Sequence, residues 1–142
     1  MCIKHKIKYD TININFVLIF LIIKGGVLKM KKALIVGLND YPGCPLSWCD
    51  NDAIAVKELI ESNGDGSPNF DIKYIIGECS KVTLRSAIAA LFEGDSEISL
   101  LYFSGHGADT DGGYLCTTGF SEGDYGVRMS DILNLANESK CK

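Results

Sequence analysis

A histidine held between two glycines ends the most apolar stretch of the chain, Ile98-Ser99-Leu100-Leu101-Tyr102-Phe103-Ser104-Gly105-His106-Gly107. An imidazole at such a place can serve as a general base for a nucleophile brought in by a neighbouring strand. Gly105 and Gly107 let the backbone bend there and leave the ring uncovered. Six cysteines, at positions 2, 44, 49, 79, 116 and 141, are the available soft nucleophiles. Only Cys44 and Cys49 are close in sequence, and no CxxC pair or histidine-rich set accompanies them, which argues against a zinc site.

The elements that must position His106 are legible from periodicity. The apolar run before it has the length and turn-bounded form of an interior strand of a parallel sheet, and functional groups collect beyond the carboxyl ends of such strands. Lys32-Ala33-Leu34-Ile35-Val36-Gly37 reads as a first strand, closed by the turn-rich Asn39-Asp40-Tyr41-Pro42-Gly43. Asp50, Asn51 and Asp52 offer a cap and first-turn acids to a helix with Ala53, Val56, Leu59 and Ile60 on its inner face. A second strand covers residues 72–76, and Thr83 is expected to cap a helix in which Leu84, Ile88 and Leu91 recur at helical spacing. Asp111-Gly112-Gly113 is a hairpin-type turn, and a last helix is expected from a Ser130 cap through Ile132, Leu133, Leu135 and Ala136. The order β-α-β-α-β-(hairpin)-α gives an α/β fold, a parallel sheet with helices on both faces.

With 142 residues, 46% hydrophobic and 23% charged, the chain supports one domain with its own core. A net charge of −4, with its 14 Lys and Arg residues forming no basic stripe, excludes nucleic acid as the expected partner. A nucleotide-binding α/β domain is also disfavoured, because Ile35-Val36-Gly37-Leu38-Asn39-Asp40 carries neither a GxGxxG fingerprint nor a P-loop lysine.

Three segments together, residues 32–39, Leu46-Ser47-Trp48-Cys49-Asp50-Asn51-Asp52-Ala53 and Tyr102-Phe103-Ser104-Gly105-His106-Gly107, resemble the large-subunit domain of the caspase and metacaspase cysteine peptidases, over residues 31–138. The resemblance implies the three-layer caspase-like (caspase-hemoglobinase) α/β fold with a mostly parallel sheet, and a polypeptide substrate. It implies that His106 is the histidine of a Cys-His dyad and that Gly107 donates a backbone N–H to the oxyanion. Cys49, Asp52 and Ser104 take the positions that line the pocket for the residue before the cleaved bond, where a carboxylate favours Lys or Arg. Read without the resemblance, Asp52 is a helix-start charge, Cys49 a small buried hydrophobe and Ser104 a strand-end hydroxyl bonded to backbone.

The sequence departs from that family's pattern at the nucleophile. The expected aspartate-x-cysteine-x-serine-glycine segment does not follow the last helix, and the sequence stops at Lys142. Cys141 has neither an apolar strand before it nor Ser-Gly after it, and Cys116 sits in the hairpin arm without the motif, so neither is expected to be the nucleophile. The expectation is a fragment of a caspase-like domain, inactive alone, with the apolar strand before His106 left as an exposed edge. The alternative is a non-catalytic pseudo-peptidase that binds or regulates. No cofactor is expected. Calcium is common among metacaspases, but Asp109, Asp111, Glu122 and Asp124 read as solvated loop charges.

Residues 1–29 differ in character. Lys4, His5, Lys6 and Lys8 precede eight unbroken apolar residues from Phe16 to Ile23, yet no small-residue cleavage site follows and the run is short for a membrane span. Lys24-Gly25-Gly26 is encodable as AAAGGAGG, a ribosome-binding sequence a short spacer ahead of Met30. We therefore expect residues 1–29 to be a non-native extension, residues 30–142 to be the caspase-like domain, and the protein to be cytoplasmic. A membrane anchor through residues 12–23, or an uncleaved signal, is the alternative. N-terminal peptide mapping of the native product should find Met30 first, and a peptide from residues 1–29 would overturn this expectation.

Overall fold

A computed structural model describes residues 16–23 and 30–140. The main sheet has the order β1-β4-β2-β3, with β1 at Phe16–Ile23, β2 at Lys31–Leu38, β3 at Phe70–Gly77 and β4 at Ile98–Gly105. Strands β3, β2 and β4 run parallel, and β2 is central to them. From Ala33 to Leu38 every residue of β2 is buried, because both faces of the sheet are covered.

Strand alternation sorts these side chains into two cores. Ala33 and Ile35 of β2, with Leu100 and Tyr102 of β4, pack against Ala53, Val56 and Ile60 of α1 (Cys49–Ile60). Leu34, Val36 and Leu38, with Leu101 and Phe103, pack against Leu84, Ala87, Ile88 and Leu91 of α2 (Lys81–Phe92) and Ile132 and Ala136 of α3 (Met129–Glu138). Helix α1 thus forms one outer layer and α2 with α3 the other, the three-layer α/β arrangement expected. Each fully buried Leu, Ile or Phe in these layers contributes about 1.5–3 kcal/mol relative to exposure.

Gly37 lets α1 sit close to β2. A Cβ there would run into the Cys49 carbonyl oxygen and lie 2.7 Å from the Ala53 Cβ. The helix start is therefore pressed onto the carboxyl end of β2, which fixes Cys49 and Asp52 relative to the sheet.

A second, antiparallel sheet of order β5-β6-β7 follows β4, with β5 at Gly107–Ala108, β6 at Tyr114–Ser121 and β7 at Asp124–Arg128. Its Leu115, Cys116 and Val127 enter the α2/α3 core. Thr118 ties it to the end of β3: its hydroxyl accepts from the Cys79 N–H at 2.9 Å, and its N–H donates to the Cys79 carbonyl at 3.2 Å.

Several local expectations need correction. Helix α1 is capped by Trp48, in a left-handed conformation and with no side-chain cap bond, while Asp50 and Asp52 occupy its first turn. Leu59 is exposed, because Val56 and Ile60 on either side of it carry the packed face of α1 and Leu59 lies off that face. Helix α2 is capped by Ser80, whose hydroxyl accepts from the Thr83 N–H at 3.1 Å; Thr83 is the capped residue. Helix α3 starts at Met129 after Arg128 rather than at a Ser130 cap, and Leu133 is exposed. Strand β7 was not anticipated; the Glu122-Gly123 turn, with Gly123 at φ 81°, folds it back on β6.

The largest difference concerns the edge of β4. It is not open: β1 pairs with it antiparallel along its whole length, from Phe16 opposite Gly105 to Ile23 opposite Ile98. The proposed anchor thus has residues 16–23 in a strand, and its residues 12–15 lie outside the described residues. No described helix is long and apolar enough to cross a membrane. A protein shortened to begin at Met30 should lose this pairing and self-associate in light scattering as concentration rises, whereas the 142-residue chain should do so less. Equal behaviour of the two would show that β1 does not protect the edge.

Candidate active site

Strand β4 delivers Ser104, Gly105 and His106 in succession to the carboxyl end of the sheet. A Cβ on Gly105 would lie 2.5 Å from the Tyr41 hydroxyl and 2.9 Å from the Phe103 ring, so only glycine lets Tyr41 reach under the histidine. The Tyr41 hydroxyl accepts from the His106 backbone N–H at 3.1 Å and donates to the Cys116 carbonyl at 2.9 Å. Burial raises the Tyr41 hydroxyl above its ordinary pKa, against the opposing pull of the bond from His106, so it stays a protonated donor. The Cys116 N–H in turn donates to the His106 carbonyl at 2.9 Å.

Contrary to the expectation that flanking glycines leave it uncovered, the His106 ring is buried, at 8% exposure, with the Tyr41 ring edge-on at 4.5 Å and Phe120 at 6.4 Å. Its Nε2 lies 2.8 Å from the Cys44 carbonyl oxygen. A carbonyl can only accept, so Nε2 carries the hydrogen of that bond. In the neutral ring this leaves the lone pair on Nδ1, which is buried and makes no hydrogen bond among the described residues. The loop that carries Cys44 is folded by Asn39. Its carbonyl accepts from Tyr41 N at 2.9 Å and Leu46 N at 3.0 Å, and its side-chain oxygen accepts from Cys49 N at 3.1 Å.

The residues expected to line a substrate pocket gather on the α1 side of the sheet. Ser104 shares the face of β4 that carries Leu100 and Tyr102, and it is 3% exposed. Cys49 is buried at the start of α1 and Asp52 is exposed one turn along. The Tyr102 hydroxyl stands among them: burial raises its pKa first, the charge of the Asp52 carboxylate adds to this, and a hydrogen bond with Ser104 opposes it. Gly107 is half-buried and opens β5 opposite Leu115.

The four described thiols, Cys44, Cys49, Cys79 and Cys116, are all free of disulfides. Cys116 is pushed up to about 12 by burial, with the neighbouring Cys44 adding to it, so at neutral pH it is a protonated, poorly nucleophilic thiol. Burial likewise raises Cys79. Cys141 lies outside the described residues. Among the described residues no group of His, Cys, Asp and Glu side chains could hold a metal ion. Asp124 instead pairs with Lys81 at 2.6 Å and Asp111 with Arg128 at 3.9 Å.

Sequence reasoning did not reach Tyr41, the Cys44 carbonyl, Tyr102 or Phe120. A backbone acceptor leaves no mark in side-chain identities, and Tyr41 read as one more turn residue. Replacing Tyr41 by Phe should cost about 1–3 kcal/mol in urea unfolding, because it strands the buried His106 N–H and Cys116 carbonyl. An unchanged midpoint and slope would show that this bridge does not support the site.

A sequence model of the caspase domain, the peptidase C14 family, matches residues 30–142. No curated protein and no solved structure matches the chain.

Proposed function

Because the chain belongs to the caspase-domain family of cysteine peptidases, we propose that His106 is the base and acid of an endopeptidase site that cleaves after Arg or Lys. The observation that carries this reading is the bond from Nε2 to the Cys44 carbonyl, which turns the Nδ1 lone pair into the group available for chemistry. Nδ1 takes the proton of a cysteine thiol, and the thiolate attacks the substrate carbonyl carbon. The oxyanion so formed is held by the Gly107 N–H, and the imidazolium then returns its proton to the leaving amine. Water hydrolyses the resulting thioester. This dyad chemistry calls for no cofactor, and the proposed setting is the cytoplasm.

Asp52, with Cys49 and Ser104 beside it, receives the cationic side chain before the cleaved bond. None of the described thiols takes this role: Cys116 and Cys79 are raised by burial, Cys49 is buried in the first turn of α1, and the Cys44 thiol is directed at the Pro42 carbonyl 3.9 Å away, so the proposed nucleophile comes from outside the described residues. The same observation favours a second reading, a peptide-binding pseudo-peptidase. Downstream DNA encoding an apolar strand followed by Asp-x-Cys-x-Ser-Gly would decide for the peptidase.

The purified 142-residue chain should bind an arginine peptide amide without turning over Arg- or Lys-ended substrates. Asp52→Asn should weaken that binding about threefold to fivefold. Turnover that disappears in His106→Ala would overturn the proposed inactivity, and equal binding of arginine and citrulline peptides would overturn the acidic pocket.

A further inference from the structure

Trp48 is 69% exposed, although it is the one tryptophan of the chain. Its backbone is left-handed, φ 77° and ψ −11°, a region that a side chain with a β-carbon seldom occupies. Folding accounts for neither property. The ring is not a core residue, no side-chain cap bond is made, and a glycine would take the same turn without strain. Backbone held in such a conformation gathers at sites where a side chain is presented for use.

The surroundings say for what. The Trp48 carbonyl accepts from the Asp52 N–H at 2.8 Å, which closes the first turn of α1 and sets the two residues one turn apart. The next residue, Cys49, is buried and tied to Asn39 by its N–H at 3.1 Å, so the backbone that carries the indole is fixed at the helix end. That helix end packs through Ala53 against Tyr102 of β4, which hydrogen-bonds Ser104. A large π-face and a carboxylate are therefore both exposed at the same end of α1, joined through the Trp48 carbonyl and the Asp52 N–H.

We infer that Trp48 is a specificity-determining residue, whose indole stacks on the cationic side chain that Asp52 neutralises and so selects arginine over lysine. This rests on the proposed acidic pocket. A planar, weakly hydrated guanidinium stacks on an aromatic face while still meeting a carboxylate, and a compact ammonium does so less well.

The test uses the 142-residue chain and three probes, acetyl-Gly-Arg-amide, acetyl-Gly-Lys-amide and acetyl-Gly-citrulline-amide. The emission of Trp48 should change saturably with the arginine probe, at an affinity about fivefold above the lysine probe, and not with citrulline. In calorimetry Trp48→Gly should abolish the arginine preference while melting no lower than the parent, and Trp48→Phe should restore part of it. Asp52→Asn should weaken the arginine and lysine probes alike. The inference falls if Trp48→Gly keeps the arginine-to-lysine ratio, or if calorimetry detects binding that leaves the emission unmoved. A loss in Asp52→Asn alone then leaves the acidic pocket standing, whereas no binding of any probe to the parent removes both.

Discussion

One hydroxyl holds three separate segments of this protein together. The Tyr41 oxygen joins the loop after β2, the end of β4 and the start of β6, by accepting from His106 and donating to Cys116. Because it is 1% exposed, water cannot replace it, and the two backbone groups it satisfies have no cheap alternative. The position of the imidazole follows from this bridge. A shift of the Tyr41 loop would carry the Cys44 carbonyl with it, and the ring would lose its acceptor and its edge-on neighbour together. The histidine is thus oriented by the loop between β2 and α1, while its own strand supplies only its location.

The two-sided burial of the sheet divides the labour. Side chains that alternate along β4 send Leu101 and Phe103 to the α2/α3 core, and Leu100, Tyr102 and Ser104 to α1. The residues proposed to receive a substrate side chain therefore collect on the α1 side, where the missing side chain of Gly37 lets the helix start settle against the sheet. The small β5-β6-β7 sheet completes the opposite core and places Phe120 near the imidazole.

Strong periodicity made the frame legible. The strand runs at residues 32–37 and 98–103 and the stripe Leu84, Ile88 and Leu91 gave the parallel sheet and its covering helix, since a buried strand and an amphipathic helix each impose an unmistakable spacing. The same spacing exposed the motif that ends in His106. Helix starts were less legible, because a Thr three residues inside a helix looks like a cap until the backbone shows Ser80 in that role. Contacts made by backbone atoms, such as the Cys44 carbonyl on Nε2, were beyond reach, as any residue could have supplied them. The conformation of Trp48 was equally hidden, for the turn that requires it usually announces itself with glycine.

Strand direction on the edge of β4 has a consequence for chemistry. The register sets Phe16, the first residue of β1, opposite Gly105, one position before His106. An antiparallel occupant of this edge thus presents its leading end to the imidazole, and the chain there arrives from outside and runs away from the site. A parallel occupant would present its trailing end, so that whatever follows it is fed towards the imidazole. Backbone pairing tolerates either orientation. The polarity of the bordering strand, more than its side chains, therefore determines whether the chain beside His106 is entering the sheet or leaving it.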